Sequence, residues 1–212
     1  MKFLMIVFFI IFNVLFTTAE MIQCYYRVEK NYRYIDGNFN ECEVRITEYS
    51  RNRYATIEGA ENANKRFAAG MTNDDIQSLN IDDNYSIKQF PTEVSNVFGK
   101  LILIRIRNPN INKLSNEDLK EFPKLKSLRI TGAFLKTIEE NLFANNPELE
   151  VVDFSWNLIN QIDPRTFSNL NNLRVLELIK NKCEILNTAE TRDEVEELVK
   201  EIESGKCQAV QI

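Results

Sequence analysis

The chain has 212 residues, 31 acidic against 26 basic, a net charge of -5 and no histidine. That length suffices for one domain with a substantial core, and so modest an acidic excess gives no general attraction to nucleic acid or anionic membrane. Without imidazole there is no His-centred triad, no Walker or GxGxxG phosphate loop occurs, and no metal, cofactor or enzymatic activity is expected.

Lys2 precedes an apolar run from Phe3 to Phe16 interrupted only by Asn13, and Thr17-Thr18-Ala19 supplies small residues. This is the pattern of a secretory signal cleaved after Ala19. The run is too short for the roughly 20 residues a membrane span needs. Removing residues 1–19 leaves 193 residues with a charge of -6, since Lys2 goes with the signal. The mature protein is expected to be soluble and extracellular.

Residues 20–75 read as an N-terminal cap. Tyr25, Tyr26, Tyr32, Tyr34, Val44 and Ile46 are strand-forming residues around a turn expected at Gly37, and a hairpin there would cover the open edge of the repeats that begin at Ile76. Tyr54 and Ile57 suggest a further strand, and residues 62–70 read as irregular.

From Ile76 a frame of hydrophobic, two variable, hydrophobic, one variable, hydrophobic recurs every 24 or 25 residues: Ile76-Leu79-Ile81, Leu101-Ile104-Ile106, Leu125-Leu128-Ile130, Leu149-Val152-Phe154 and Leu173-Leu176-Leu178. A repeat of that length predicts an α/β solenoid, a short horseshoe of about five units over 76–182 with a concave parallel β-sheet. Later apolar groups, such as Leu135, Ile138, Leu142 and Phe143, seal the other side of each unit. Asn84, Asn157 and Asn181 fall just after the strand, where a side-chain amide can donate to carbonyls of adjacent turns as a ladder. Pro109 and Ala133 interrupt it. Asn84-Tyr85-Ser86 is also a glycosylation sequon; an inward amide disfavours a glycan there.

Residues 183–212 read as a C-terminal cap. Thr191-Arg-Asp-Glu194 is a capping box, Val195, Leu198, Val199 and Ile202 share one helical face, and Gly205 offers the terminator. Four cysteines allow three pairings. A stiff solenoid separates its ends, so Cys24–Cys42 and Cys183–Cys207 are expected as staples of the two caps, each worth roughly 3 kcal/mol.

The units from Leu149 to Ile159 and from Leu173 to Cys183 resemble extracellular leucine-rich repeat proteins, specifically small secreted ones of insects. That resemblance implies core-filling Leu and Ile, ladder asparagines at Asn157 and Asn181, cysteine-sealed caps, and a concave face that binds proteins, sometimes glycans or small elicitors. The chain departs from the pattern at Pro109 and Ala133 and in having two rather than four cysteines in its C-terminal cap.

The variable strand positions are expected to face solvent on the inner sheet in three columns: Ser78-Leu103-Ser127-Val151-Val175, Asn80-Arg105-Arg129-Asp153-Glu177 and Asp82-Arg107-Thr131-Ser155-Ile179. Arg105, Arg107 and Arg129 followed by Asp153 and Glu177 reverse sign along the arc. Leu103, Val151, Val175 and Ile179 add apolar area, and Trp156 an aromatic rim. This points to recognition of an extracellular protein, in innate immunity or signalling, with oligomeric state open. Two readings compete: Arg129 and Asp153 merely pair across strands, or the protein is a matrix scaffold with no dedicated concave site. Asp153 and Glu177 are the nearest formal pair for glycoside hydrolysis, without an evident cleft.

Overall fold

The recurring frame becomes a stack of short parallel strands in the computed structural model, which describes residues 22–32, 34–45, 60–62, 72–82, 87–183 and 187–208. The signal segment, Ile46, Tyr54, Ile57 and the Asn84 sequon lie outside the described residues.

An N-terminal hairpin, β1 (Ile22–Tyr32) and β2 (Ile35–Arg45), is succeeded by β3 (Ala60–Asn62) and β4 (Ser78–Asp82). Next come α1 (Val94–Val97), β5 (Leu103–Arg107), α2 (Asn116–Leu119), β6 (Ser127–Thr131), β7 (Thr137–Ile138), β8 (Val151–Asp153), β9 (Gln161–Ile162) and β10 (Val175–Glu177). β11 (Thr188–Ala189) and α3 (Arg192–Glu203) close the chain. β4, β5, β6, β8 and β10 pair in parallel in the central sheet, and its full order is β11-β10-β8-β6-β5-β4-β2-β1-β3. β7 and β9 form a small parallel sheet of their own.

The register is uniform. Ser78, Leu103, Ser127, Val151 and Val175 lie opposite one another in succession, as do Asn80, Arg105, Arg129, Asp153 and Glu177. Each strand turns its frame residues inward: Leu79, Ile104, Leu128, Val152 and Leu176 are all fully buried. Leu135, Ile138, Leu142 and Phe143 meet them from the far side, and Phe143 stacks on Phe154 with ring centroids 6.2 Å apart. One unit could not bury both its surfaces alone; stacked units do.

Asn157 sits at the bend after β8. Its amide donates to the carbonyls of Ile130 (2.8 Å) and Phe154 (2.9 Å), and its carbonyl accepts from Leu135 N–H (3.3 Å). One unit on, Asn181 repeats the arrangement with Phe154, Leu178 and Ile159 N–H. Both satisfy backbone groups that the turns leave unpaired. A further asparagine, Asn146, replaces the Phe98 and Phe122 of earlier units and donates to the carbonyls of Leu119 and Phe122 from full burial.

At the far end, Thr191 caps α3. Its hydroxyl accepts from Glu194 N–H, while the Glu194 carboxylate accepts from the N–H groups of Glu190 and Thr191. Those bonds, the one from Glu190 foremost, hold the Glu194 carboxyl below its ordinary value. Val195, Leu198 and Ile202 are buried against the last unit, Gly205 ends the helix at φ 87°, and Cys183 is bonded to Cys207. Cys42 is also disulfide-bonded. The Cys24 side chain lies outside the described residues.

The hairpin departs from expectation in two respects. Its turn is at Tyr34 (φ 71°), because Tyr32 pairs with Ile35; Gly37 (φ 138°) instead sits at an extra residue in β2 between Ile35 and Asn38, a bulge. Its path is also longer than an edge cover requires. Only Glu41 to Arg45 pair with β4. The distal half leaves the sheet and crosses the concave face.

Candidate recognition surface

Ile35 and Phe39, 6% and 7% exposed, form one buried cluster with Leu103, Val151 and Val175, flanked by Tyr34 and Ile102. The hairpin tip therefore lies over the first column from β5 to β10. Leu103, Val151 and Val175, expected to face solvent, are fully buried. Three apolar side chains in one register row attract an apolar cover, and the chain supplies it.

The second column is covered as well. Arg129 (6% exposed) binds Asp153 (2%) through Nε at 3.1 Å and Nη2 at 2.6 Å, and its Nη2 lies 3.8 Å from Glu177 (3%). The Tyr34 hydroxyl is 2.8 Å from Glu177 Oε1 and 2.7 Å from Glu190 Oε1, and Arg174 donates to the Tyr34 carbonyl. At the other end of the column, Arg105 is half-buried with its Nε 2.9 Å from Asn80 Oδ1, and buried Glu41 accepts from Ser78 and Asn80. The expectation of a solvent-facing charged row is corrected for Arg129, Asp153 and Glu177. Charges buried this deeply persist only because each has a partner within reach. Asp153 and Glu177 are register neighbours, and both are buried.

The third column and the bend beyond it remain accessible. Arg107 is half-exposed and pairs with Asp82 at 2.5 Å; Thr131 and Ile179 are half-exposed, whereas Ser155 is buried. Trp156 is 60% exposed, with Lys180 Nζ 5.6 Å from its ring centroid, within cation–π range. Phe134, in the loop after β6, is 38% exposed.

A backbone feature explains the posture of Trp156. Asn108, Gly132, Trp156 and Lys180 succeed one another at the unit spacing and all take positive φ: 52°, 70°, 60° and 62°. This left-handed residue reverses the chain after each strand and throws its side chain outward. At Gly132 a Cβ would lie 2.4 Å from Asn108 Oδ1, so a larger residue there would have to displace the Asn108 side chain as well as take a positive φ. Gly132 and Asn108, two residue types that tolerate positive φ, carried a sequence signal for this turn.

Residues 123–183 match the family described as leucine rich repeat. Over those residues the solenoid is built of leucine-rich repeats. No curated protein sequence matches the chain. Among solved structures, this chain is similar to one in the Toll–Spatzle complex, described as a molecular hub in Drosophila development and innate immunity. The identity is 16% and the TM-score 0.45, over 59% of this chain and 17% of that one. It is also similar to a chain of the LRIM1/APL1C complex, at 17% identity and TM-score 0.46 over 76% of this chain and 35% of that one. A third similarity is to the TLR13–ssRNA13 complex, at 19% and 0.42 over 58% and 20%. The chain thus spans about a sixth to about a third of the structures it resembles. Among the described residues no helix is long and apolar enough to cross a membrane.

Proposed function

We propose that the protein is a secreted, non-enzymatic leucine-rich repeat module that binds another extracellular protein through the rim of its sheet, with Trp156 as anchor, Ile179 and Lys180 beside it and Arg107 farther along the same rim. The exposure of Trp156 carries this reading. A large aromatic side chain held outward by a left-handed backbone, with Lys180 over its ring, has the character of an interface centre, where tryptophan is enriched. The covered concave floor moves the candidate contact from Leu103, Val151 and Val175 to the rim. Secretion is supported by the apolar segment Phe3–Phe16 and by a disulfide, which persists in oxidising compartments.

The test begins with a pull-down from the source animal's extracellular fluid using the tagged mature chain. Trp156→Ala should weaken the captured protein about 30-fold, the effect of losing a hot-spot residue, with unchanged thermal unfolding. Arg107→Glu should weaken it more at low salt than at high salt. A folded Trp156→Ala protein with full affinity refutes the rim.

A further inference from the structure

The concave face is covered, but the cover is attached differently from the rest of the sheet. Register pairing of β2 with the solenoid begins at Glu41, and Gln77 N–H donates to the Asn40 carbonyl. Beyond that point the tip is held by Ile35 and Phe39 on the floor, by the Tyr34 hydroxyl at Glu177 and Glu190, and by Arg174 on the Tyr34 carbonyl. The bulge at Gly37 lies between these anchors. One floor residue is left poorly served: Ser127 lies between Leu103 and Val151 in the covered column, fully buried, and its hydroxyl has no hydrogen-bond partner. A buried hydroxyl without a partner destabilises the closed arrangement and would be satisfied by water or by a different occupant.

We propose that the floor formed by Leu103, Ser127, Val151 and Val175, with Glu177 and Arg174 at its end, is a second binding site, occupied in this structure by the chain's own hairpin tip. Its ligand is a polypeptide segment that turns at a tyrosine and carries apolar side chains one and five residues later, the spacing of Tyr34, Ile35 and Phe39. The tip acts as a competitive strap: tethered beside its site, it is present at an effective concentration on the order of millimolar. An outside segment enters only when the strap lifts or when it outcompetes that concentration. This site is separate from the rim, so either can fail without the other.

Two experiments on the full mature chain decide the matter. In the first, a fluorescein-labelled peptide of residues 33–40 is titrated by anisotropy against wild type and against Ile35→Ser/Phe39→Ser. Losing each anchor weakens docking of the tip roughly 10- to 100-fold, so the double variant should bind the peptide at least 30-fold more tightly than wild type. Adding Val151→Arg should abolish that binding. No peptide binding by a folded double variant, equal binding by wild type, or binding that survives Val151→Arg overturns the proposal. The second experiment keeps the strap intact. Ser127→Cys places a thiol beneath it and Val152→Cys places one in the solenoid core, and both are exposed to a thiol reagent under native conditions. Cys at 127 should label at least 100-fold faster, because strap opening requires no unfolding of the repeats. Equal labelling rates mean that the floor opens only on global unfolding, and they overturn the strap even if the double variant does not fold.

Discussion

Replacing Arg129 by methionine tests whether the concave charges are buried. Methionine keeps most of the volume and removes the charge, leaving Asp153 and Glu177, 2% and 3% exposed and adjacent across β8 and β10, without the cation between them. Breaking a buried ion pair by removing one partner costs about 3–5 kcal/mol. Against a typical total stability of about 5–15 kcal/mol, that is a large fraction. With a urea dependence of about 2 kcal/mol per molar, the midpoint should fall by about 1.5–2.5 M. Urea unfolding at pH 7, monitored by far-ultraviolet circular dichroism, measures it. The triple change Arg129→Met/Asp153→Leu/Glu177→Leu should recover most of the loss, since a buried ionic cluster can be exchanged for apolar packing at little cost. A loss below about 1 kcal/mol for Arg129→Met is the value expected of an exposed pair. It would refute the burial and, with it, the placement of the hairpin over the second column.

The core, the ladder and the caps each set a further outcome. Leu128→Ala and Leu176→Ala should each cost about 2–5 kcal/mol in the same assay, because both side chains are fully enclosed between stacked units. Asn157→Ala leaves the Ile130 and Phe154 carbonyls and the Leu135 N–H without that partner and should cost about 1–3 kcal/mol, whereas Asn160→Ala, exposed in the next turn, should be near neutral. The Glu194 carboxyl is held low in the folded state, so its contribution to capping α3 is present above the ordinary glutamate value of 4.5 and lost as pH falls through its depressed value. Glu194→Gln should therefore flatten the acid limb of the helix signal; an unchanged slope would remove the capping carboxylate from the account. Non-reducing peptide mapping should recover Cys183–Cys207 and Cys24–Cys42, and a cross-end pairing would contradict the separated caps.

The repeat frame was readable because it is local. Each strand's inward residues recur at fixed spacing, and period-2 alternation then assigns the outward columns, so the register of Ser78 through Val175 came from counting. The helix of the C-terminal cap was equally readable, since Thr191, Glu194 and the Val195 face lie within one short segment. The path of the hairpin was not, because its contacts join Tyr34 to Glu177 across 143 residues and no local pattern encodes such a meeting. A hint was present nonetheless. Leu103, Val151 and Val175 make an outward row apolar at three of five positions, which is the composition of a covered surface, and Ile35 and Phe39 offered the matching apolar pair on the hairpin. The turn at Tyr34 was missed because glycine at 37 is the stronger turn former by type, while the bulge it serves depends on strand pairing.

The strap also measures the solenoid. From Glu41, the first β2 residue paired with β4, back to Tyr34 is seven residues, about 23 Å of extended chain. The distance to be crossed, from β2 to β10, is five strand spacings, roughly 24 Å, so the hairpin is already near full stretch. Duplicating one unit of about 24 residues would add about 4.8 Å and exceed the hairpin's reach, separating Tyr34 from the terminal strand. Repeat arrays ordinarily lengthen or shorten by whole units without penalty, since each unit touches only its neighbours. Here the two ends touch, so insertion or deletion of a unit would displace the hairpin tip from Glu177 and Glu190.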